Sequence, residues 1–137
     1  MQVRSARAEI STQRTRDIKR HNNEAFHQLT QDPSLTDLHI RAQTDFDSLD
    51  DVEKLRWGIW LFTWINQTED GYLSGRAGIP DMEWVDSYIL GVALVLRTTG
   101  GQHFWGRMRG FFDQDFADRL DQEIAAGTTT YLEALLH

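Results

Sequence analysis

His21, Glu24 and His27 fall at i, i+3 and i+6 in the segment HNNEAFH. The Glu24-x-x-His27 pair has the spacing with which bundle helices hold carboxylate-bridged iron. A di-iron site of that kind takes two such pairs and two further inward glutamates. The sequence has no second pair, so the three residues are read as solvated positions on a polar helix, and no metal or cofactor is expected.

GGQHFWGRMR, residues 100–109, suggests a different chemistry. Glycines ahead of a helix start leave backbone amides free for an anion, and Arg107 and Arg109 follow. Both arginines stand beyond the first turn and on different faces. A helix break with a core Trp105 accounts for the same letters.

Carboxylates come closest together in EDGYLSGRAGIPDMEW, residues 69–84, where Glu69 and Asp70 are set against Asp81 and Glu83 with Arg76 between. Acid–base catalysis needs two carboxylates at a fixed separation with pKa values pushed apart. Here the acids sit where helices end and begin, and helix punctuation explains them. Glu69, Tyr72, Arg76 and Trp84 are kept as the mouth of a tryptophan-lined pocket, under the reading of the chain as a small-ligand sensor or enzyme. Ser34, Ser48 and Ser74 lack a nucleophile-elbow context, and no glycine loop precedes a lysine. The absence of cysteine excludes disulfides, thiolate metal sites and a cysteine nucleophile.

Charge is divided unevenly along the 137 residues, whose net charge is -7. Residues 1–20 hold six cations against Glu9 and Asp17, a balance of +4, and leave -11 on the remainder. Arg14, Arg16, Lys19 and Arg20 form the candidate anion-binding set, suited to an anionic lipid surface or an acidic partner. Nucleic acid is disfavoured, because the acidic body repels phosphate.

The elements that must position these groups read as helices throughout. A polar helix over 4–30 has sparse apolar positions and needs a partner. Asp32-Pro33 breaks it and starts a short helix. Ser48 is the expected cap of the next helix, about 50–75, with Asp50, Asp51 and Glu53 in its first turn. Val52, Leu55, Ile59 and Phe62 recur at helical spacing while Trp57, Trp60, Leu61 and Trp64 cover adjacent faces. A helix apolar nearly all round is expected at the centre of a bundle. Helices at 81–98, 102–111 and 114–126 should wrap it, with Gly100-Gly101 supplying a left-handed cap and Asp113 an N-cap. The fold class is all-α: a single-domain helical bundle (31–137) with a tryptophan-rich central helix and an extended basic N-terminal helix (1–30).

DPSLTDL, SLDDVEKLRWGIWLFTWINQTEDGYLSGRAGIPDMEW and TTGGQHFWGRMRGFFDQDF together resemble a loose family of uncharacterised bacterial helical domains. Pro33, Glu53, Arg56, Glu69, Tyr72, Gly78, Trp84, Gly101, Trp105, Phe112 and Phe116 carry the likeness, over roughly residues 31–120. Members of that family commonly place such a domain after N-terminal membrane helices, and no apolar run here is long enough to be one. The resemblance implies a fold and a membrane-side setting, not a reaction.

These readings lead to a non-catalytic protein-interaction or assembly module, a homo-oligomer (a dimer), cytoplasmic and peripheral to the inner membrane. A filled core with an exposed apolar helix face is the sign of such a module. A sizeable cavity with converging polar groups is the sign of the sensor or enzyme.

Overall fold

The computed structural model describes the backbone of residues 2–78 and 82–137, with side chains described except at 2–5, 7–8, 11, 14–15, 18, 21–22 and 82. The described residues form an all-α bundle without strands. Its helices are α1 (Gln2–Gln31), α2 (Pro33–Thr44), α3 (Asp51–Arg76), α4 (Met82–Leu96), α5 (Thr99–Met108), α6 (Gln114–Ala125) and α7 (Tyr131–Leu136). Single 3-10 turns at Phe46–Ser48 and Arg109–Phe111 precede α3 and α6.

Local chemistry sets most boundaries. The Asp32 carboxylate accepts from the backbone N–H groups of Ser34 and Leu35, and Pro33 occupies the first helical turn, where no intrahelical donor is lost. The Ser34 hydroxyl bond and these amides hold the Asp32 carboxyl below its usual range. Asp113 caps α6 as expected, accepting from Phe116 N–H at 3.0 Å. At α3 the expectation is corrected: Asp50, not Ser48, is the N-cap. Asp50 and Glu53 form a reciprocal capping box, whereas the Ser48 hydroxyl donates to the Asp45 carbonyl within the preceding 3-10 turn.

Gly78 has φ +80°, the left-handed conformation that lets the chain leave α3. Gly100 and Gly101 do not act as such a cap, and they lie inside the first turn of α5. A Cβ on Gly100 would run into the Ala42 carbonyl of α2, and one on Gly101 into the Val95 carbonyl of α4. Thr98 is the cap, accepting from Gly101 N–H at 3.1 Å. The glycines therefore serve close approach of α5 to its neighbours. Gly101→Ala should cost about 1–3 kcal/mol through overpacking. Gly106→Ala, where an added Cβ meets nothing, should be neutral or slightly stabilising. Thermal melts of the two variants decide this, and equal melting temperatures would contradict it.

The core joins α2 through α6 in one cluster containing Trp57, Trp64, Ile89, Val92, Phe116 and Leu120. The tryptophan-rich helix α3 is central, with α1, α2, α4 and α6 all packed on it. It is not wrapped on every side. Val52, Leu55 and Ile59 are 74%, 65% and 59% exposed, so one stripe of α3 lies open. The helix enclosed most completely is α4, which α3, α5, α6 and α7 contact. Its Val85, Ile89, Val92, Ala93, Val95 and Leu96 are all buried.

The C-terminal half of α1 packs on the bundle, antiparallel to α3. Arg56 of α3 reaches Asp32 at 2.5 Å, Trp60 Nε1 donates to the Ala25 carbonyl, and Phe26 sits edge-on against Trp64 at 5.2 Å. This half of the helix finds its apolar partner within the chain. Arg97 closes another corner by donating to the Glu123 and Ile124 carbonyls at the end of α6, where the helix dipole is negative, and to the Thr129 carbonyl in the connection to α7.

Candidate functional site

The open stripe of α3 forms one wall of a groove of about 630 Å³. Trp57, Gly58 and Phe62 of α3 line it on one side, and Phe104, Met108 and Phe111 on the other. Phe46 closes one end, with the His103 ring tilted against it at 4.7 Å between ring centroids. Phe111 is 75% exposed and adds to the apolar edge. Local sequence explains the opening. The capping box fixes where α3 starts, and so turns Leu55, Gly58, Ile59 and Phe62 toward α5 and solvent. Gly58 has no side chain, and a Cβ added there would meet nothing within 4 Å. A mid-helix glycine costs about 0.5–1 kcal/mol relative to alanine, and nothing packed inside this chain requires one at 58.

Polar groups on the groove are few and mostly basic. Lys54, His103 and Arg107 line it, and no carboxylate does. Its one hydroxyl, Thr63, donates to the Ile59 carbonyl at 2.9 Å. The lining is thus mainly apolar, with basic side chains at its rim and no acid among the described residues that line it. On the far side of the Ile59–Thr63 ridge lies a second depression of about 480 Å³, between α3 and the α1–α2 corner. Ala25, Leu35 and Trp60 line it, with the Asp32–Arg56 ion pair at its edge. The apolar ridge of α3 thus stands between two hollows.

The residues singled out as a pocket mouth have other partners. Glu69 accepts from the backbone N–H of Asp113 at 2.6 Å, Arg76 pairs with Asp115 at 3.0 Å, and Tyr72 packs on Phe116. Together they fasten the end of α3 to the start of α6. Trp84 engages a different neighbour: it sits edge-on against Tyr88, and Lys19 of α1 lies over its ring at 5.4 Å. None of the four lines either hollow described above. Asp81, the carboxylate opposite Glu69 in the sequence, lies outside the described residues.

On α1, Arg16, Lys19 and Arg20 share one exposed face with Asn23, Glu24 and His27. Arg20 pairs with Asp17 at 3.3 Å. The side chains of Arg14 and His21 lie outside the described residues. No group of three His, Cys, Asp or Glu poised for a metal occurs among the described residues. Arg107 and Arg109 separate as their spacing suggests. Arg109 binds Asp118 and Asp121, and Arg107 turns to the groove. Asp113, Asp115 and Asp118 are thus engaged by Arg76 and Arg109 within the chain.

One titratable group is deeply buried. His39 of α2 accepts from Trp57 Nε1 through Nδ1 at 3.1 Å and lies 4.8 Å from the Trp60 ring and 5.8 Å from that of Tyr131. Burial lowers its pKa to about 4. The same cause raises the Tyr131 phenol. Both groups are neutral near pH 7, and they form part of the packing between α2, α3 and α7.

No family model matches the chain, and no curated protein or solved structure shows significant similarity to it. Among the described residues no helix is long and apolar enough to cross a membrane.

Proposed function

We propose that the protein is a non-catalytic docking module that takes a helix of a partner protein onto the open face of α3. The supporting observation is the exposed ridge of Val52, Leu55 and Ile59 beside an apolar groove, on a bundle whose own tryptophans are otherwise engaged in packing. Soluble domains rarely expose a contiguous apolar face of this kind without a use for it. A helix laid in such a groove buries its apolar stripe at i, i+3, i+4 and i+7. Leu55→Asp with Ile59→Asp should abolish helix binding and leave the melting temperature within a few degrees of wild type, since both side chains already face solvent. Fluorescence anisotropy with labelled amphipathic helices reads the first effect and a thermal melt the second. Unchanged binding by the double variant would defeat the proposal.

The basic face of α1 supports a peripheral position at an anionic surface as a second element of this reading. Arg16 and Lys19 make no ion pair among the described residues, and the surrounding body is acidic. Attraction of this sort is screened within about 10 Å at 0.1 M salt. Arg16→Gln, Lys19→Gln and Arg20→Gln together should remove co-sedimentation with phosphatidylserine vesicles at low salt, with little change in the melting temperature. Wild-type protein that ignores such vesicles at low salt would contradict it.

A further inference from the structure

The geometry points to an acidic amphipathic helix as the occupant of the α3–α5 groove: an apolar stripe flanked by carboxylates that reach Lys54 and Arg107. This inference rests on the docking reading above and specifies its partner. It comes from how the cations of residues 31–137 are used. Among the described residues, Arg41, Arg56, Arg76, Arg109 and Arg119 each hold a carboxylate. Arg97 is spent on carbonyls at the end of α6 and just beyond it. Two cations remain without a carboxylate, and both line the same groove: Lys54, lying over the Phe46 ring at 5.1 Å, and Arg107.

That coincidence is informative because residues 21–137 carry a net charge of -11. Carboxylates are abundant on this body, yet none lines the groove. Away from the basic face of α1, a cationic rim on the acidic body of residues 21–137 attracts negative charge at the groove. The apolar lining fixes the rest of the partner: leucine-like side chains at helical spacing fill the space beside Phe62, Met108 and Phe111. Gly58 lets the partner backbone come close to α3. A second copy of this chain fits less well, because a two-fold contact through this groove would bring Lys54 and Arg107 of each copy toward their equivalents.

The test is a selection on the full chain from a displayed library of amphipathic helices. The apolar stripe is kept and the flanking positions are randomised, with counter-selection on Ile59→Asp. The recovered helices should be enriched in Asp and Glu at the flanks. They should bind Lys54→Gln/Arg107→Gln about tenfold or more weakly than wild type, with a difference that shrinks as salt is added. The melting temperature of that double variant should be unchanged. Recovered helices with neutral or basic flanks, or binding indifferent to the two charges, would overturn the acidic-helix inference while leaving the docking face intact. Failure to recover any helix that distinguishes wild type from Ile59→Asp would overturn the docking reading itself. A dimer in light scattering that Ile59→Asp splits into monomers would assign the groove to a second copy, and the inference would fall.

Discussion

Trp60→Ala should destabilise the fold by about 3–5 kcal/mol, the range for removing a buried aromatic from a packed core. Trp60 is buried, donates its indole N–H to the Ala25 carbonyl, and touches Phe26, His39 and Trp64. One side chain thus joins α1, α2 and α3. The loss should appear in urea unfolding as a lower midpoint. Because α1 is fastened at this point, exchange protection should also fall most at residues 23–31. Ile59→Ala, one residue earlier on the exposed side of the same helix, should change stability little. Comparable losses from both variants would show that the inner and outer faces of α3 had been assigned wrongly.

Acidification from pH 6.5 to 4 should remove about 3 kcal/mol of stability through His39 alone. The folded pKa of about 4 lies below the ordinary 6.5, so the unfolded chain binds the extra proton first. Stability is therefore complete above pH 6.5, declines as pH falls through this interval, and stops changing on this account below about 4. The cause is burial, which strips water from an imidazolium packed against the Trp60 and Tyr131 rings; protonated Nδ1 could also no longer accept from Trp57 Nε1. Asp32 and Glu53, whose carboxyls are lowered, withdraw their contributions at more acidic pH and so fall outside most of this window. NMR titration of the His39 ring checks the midpoint directly. Urea unfolding across the interval should lose its slope in His39→Asn. A midpoint near 6.5 would contradict the account.

Much of the fold could be read from local signals, because capping is local. Asp32-Pro33 and Asp113 announce their helices through residues within a turn of them. The Asp50-x-x-Glu53 box was also readable, and it outweighs the lone hydroxyl of Ser48 because both of its side chains find backbone donors. Gly100-Gly101 misled for a physical reason. A glycine permits either a left-handed cap or a close approach, and only the positions of Ala42 and Val95 decide between them.

The candidate site was legible only in part. Periodicity shows that α3 has apolar residues on more faces than a surface helix needs, but not whether a neighbour covers each face. The surplus stripe at Val52, Leu55 and Ile59 is exposed rather than part of the core, and Gly58 within it was the available clue. The partners of Glu69 and Arg76, Asp113 and Asp115, lie far along the chain. Pairings at that separation leave no periodic trace.

The central claim is that the α3–α5 groove receives a helix, and an amide chemical-shift titration tests it most directly. Adding a leucine-striped, glutamate-flanked helix of about five turns should perturb a contiguous set: residues 54–63 on α3 and 103–111 across the groove. The amide signals of Gly58, Gly106 and Gly110 are convenient markers because glycine nitrogens resonate apart from the rest. Saturable shifts confined to that set, absent from Leu55→Asp/Ile59→Asp, are the expected result. Shifts that map instead to the 16–27 face of α1, or to Glu69, Tyr72 and Arg76, would contradict the account.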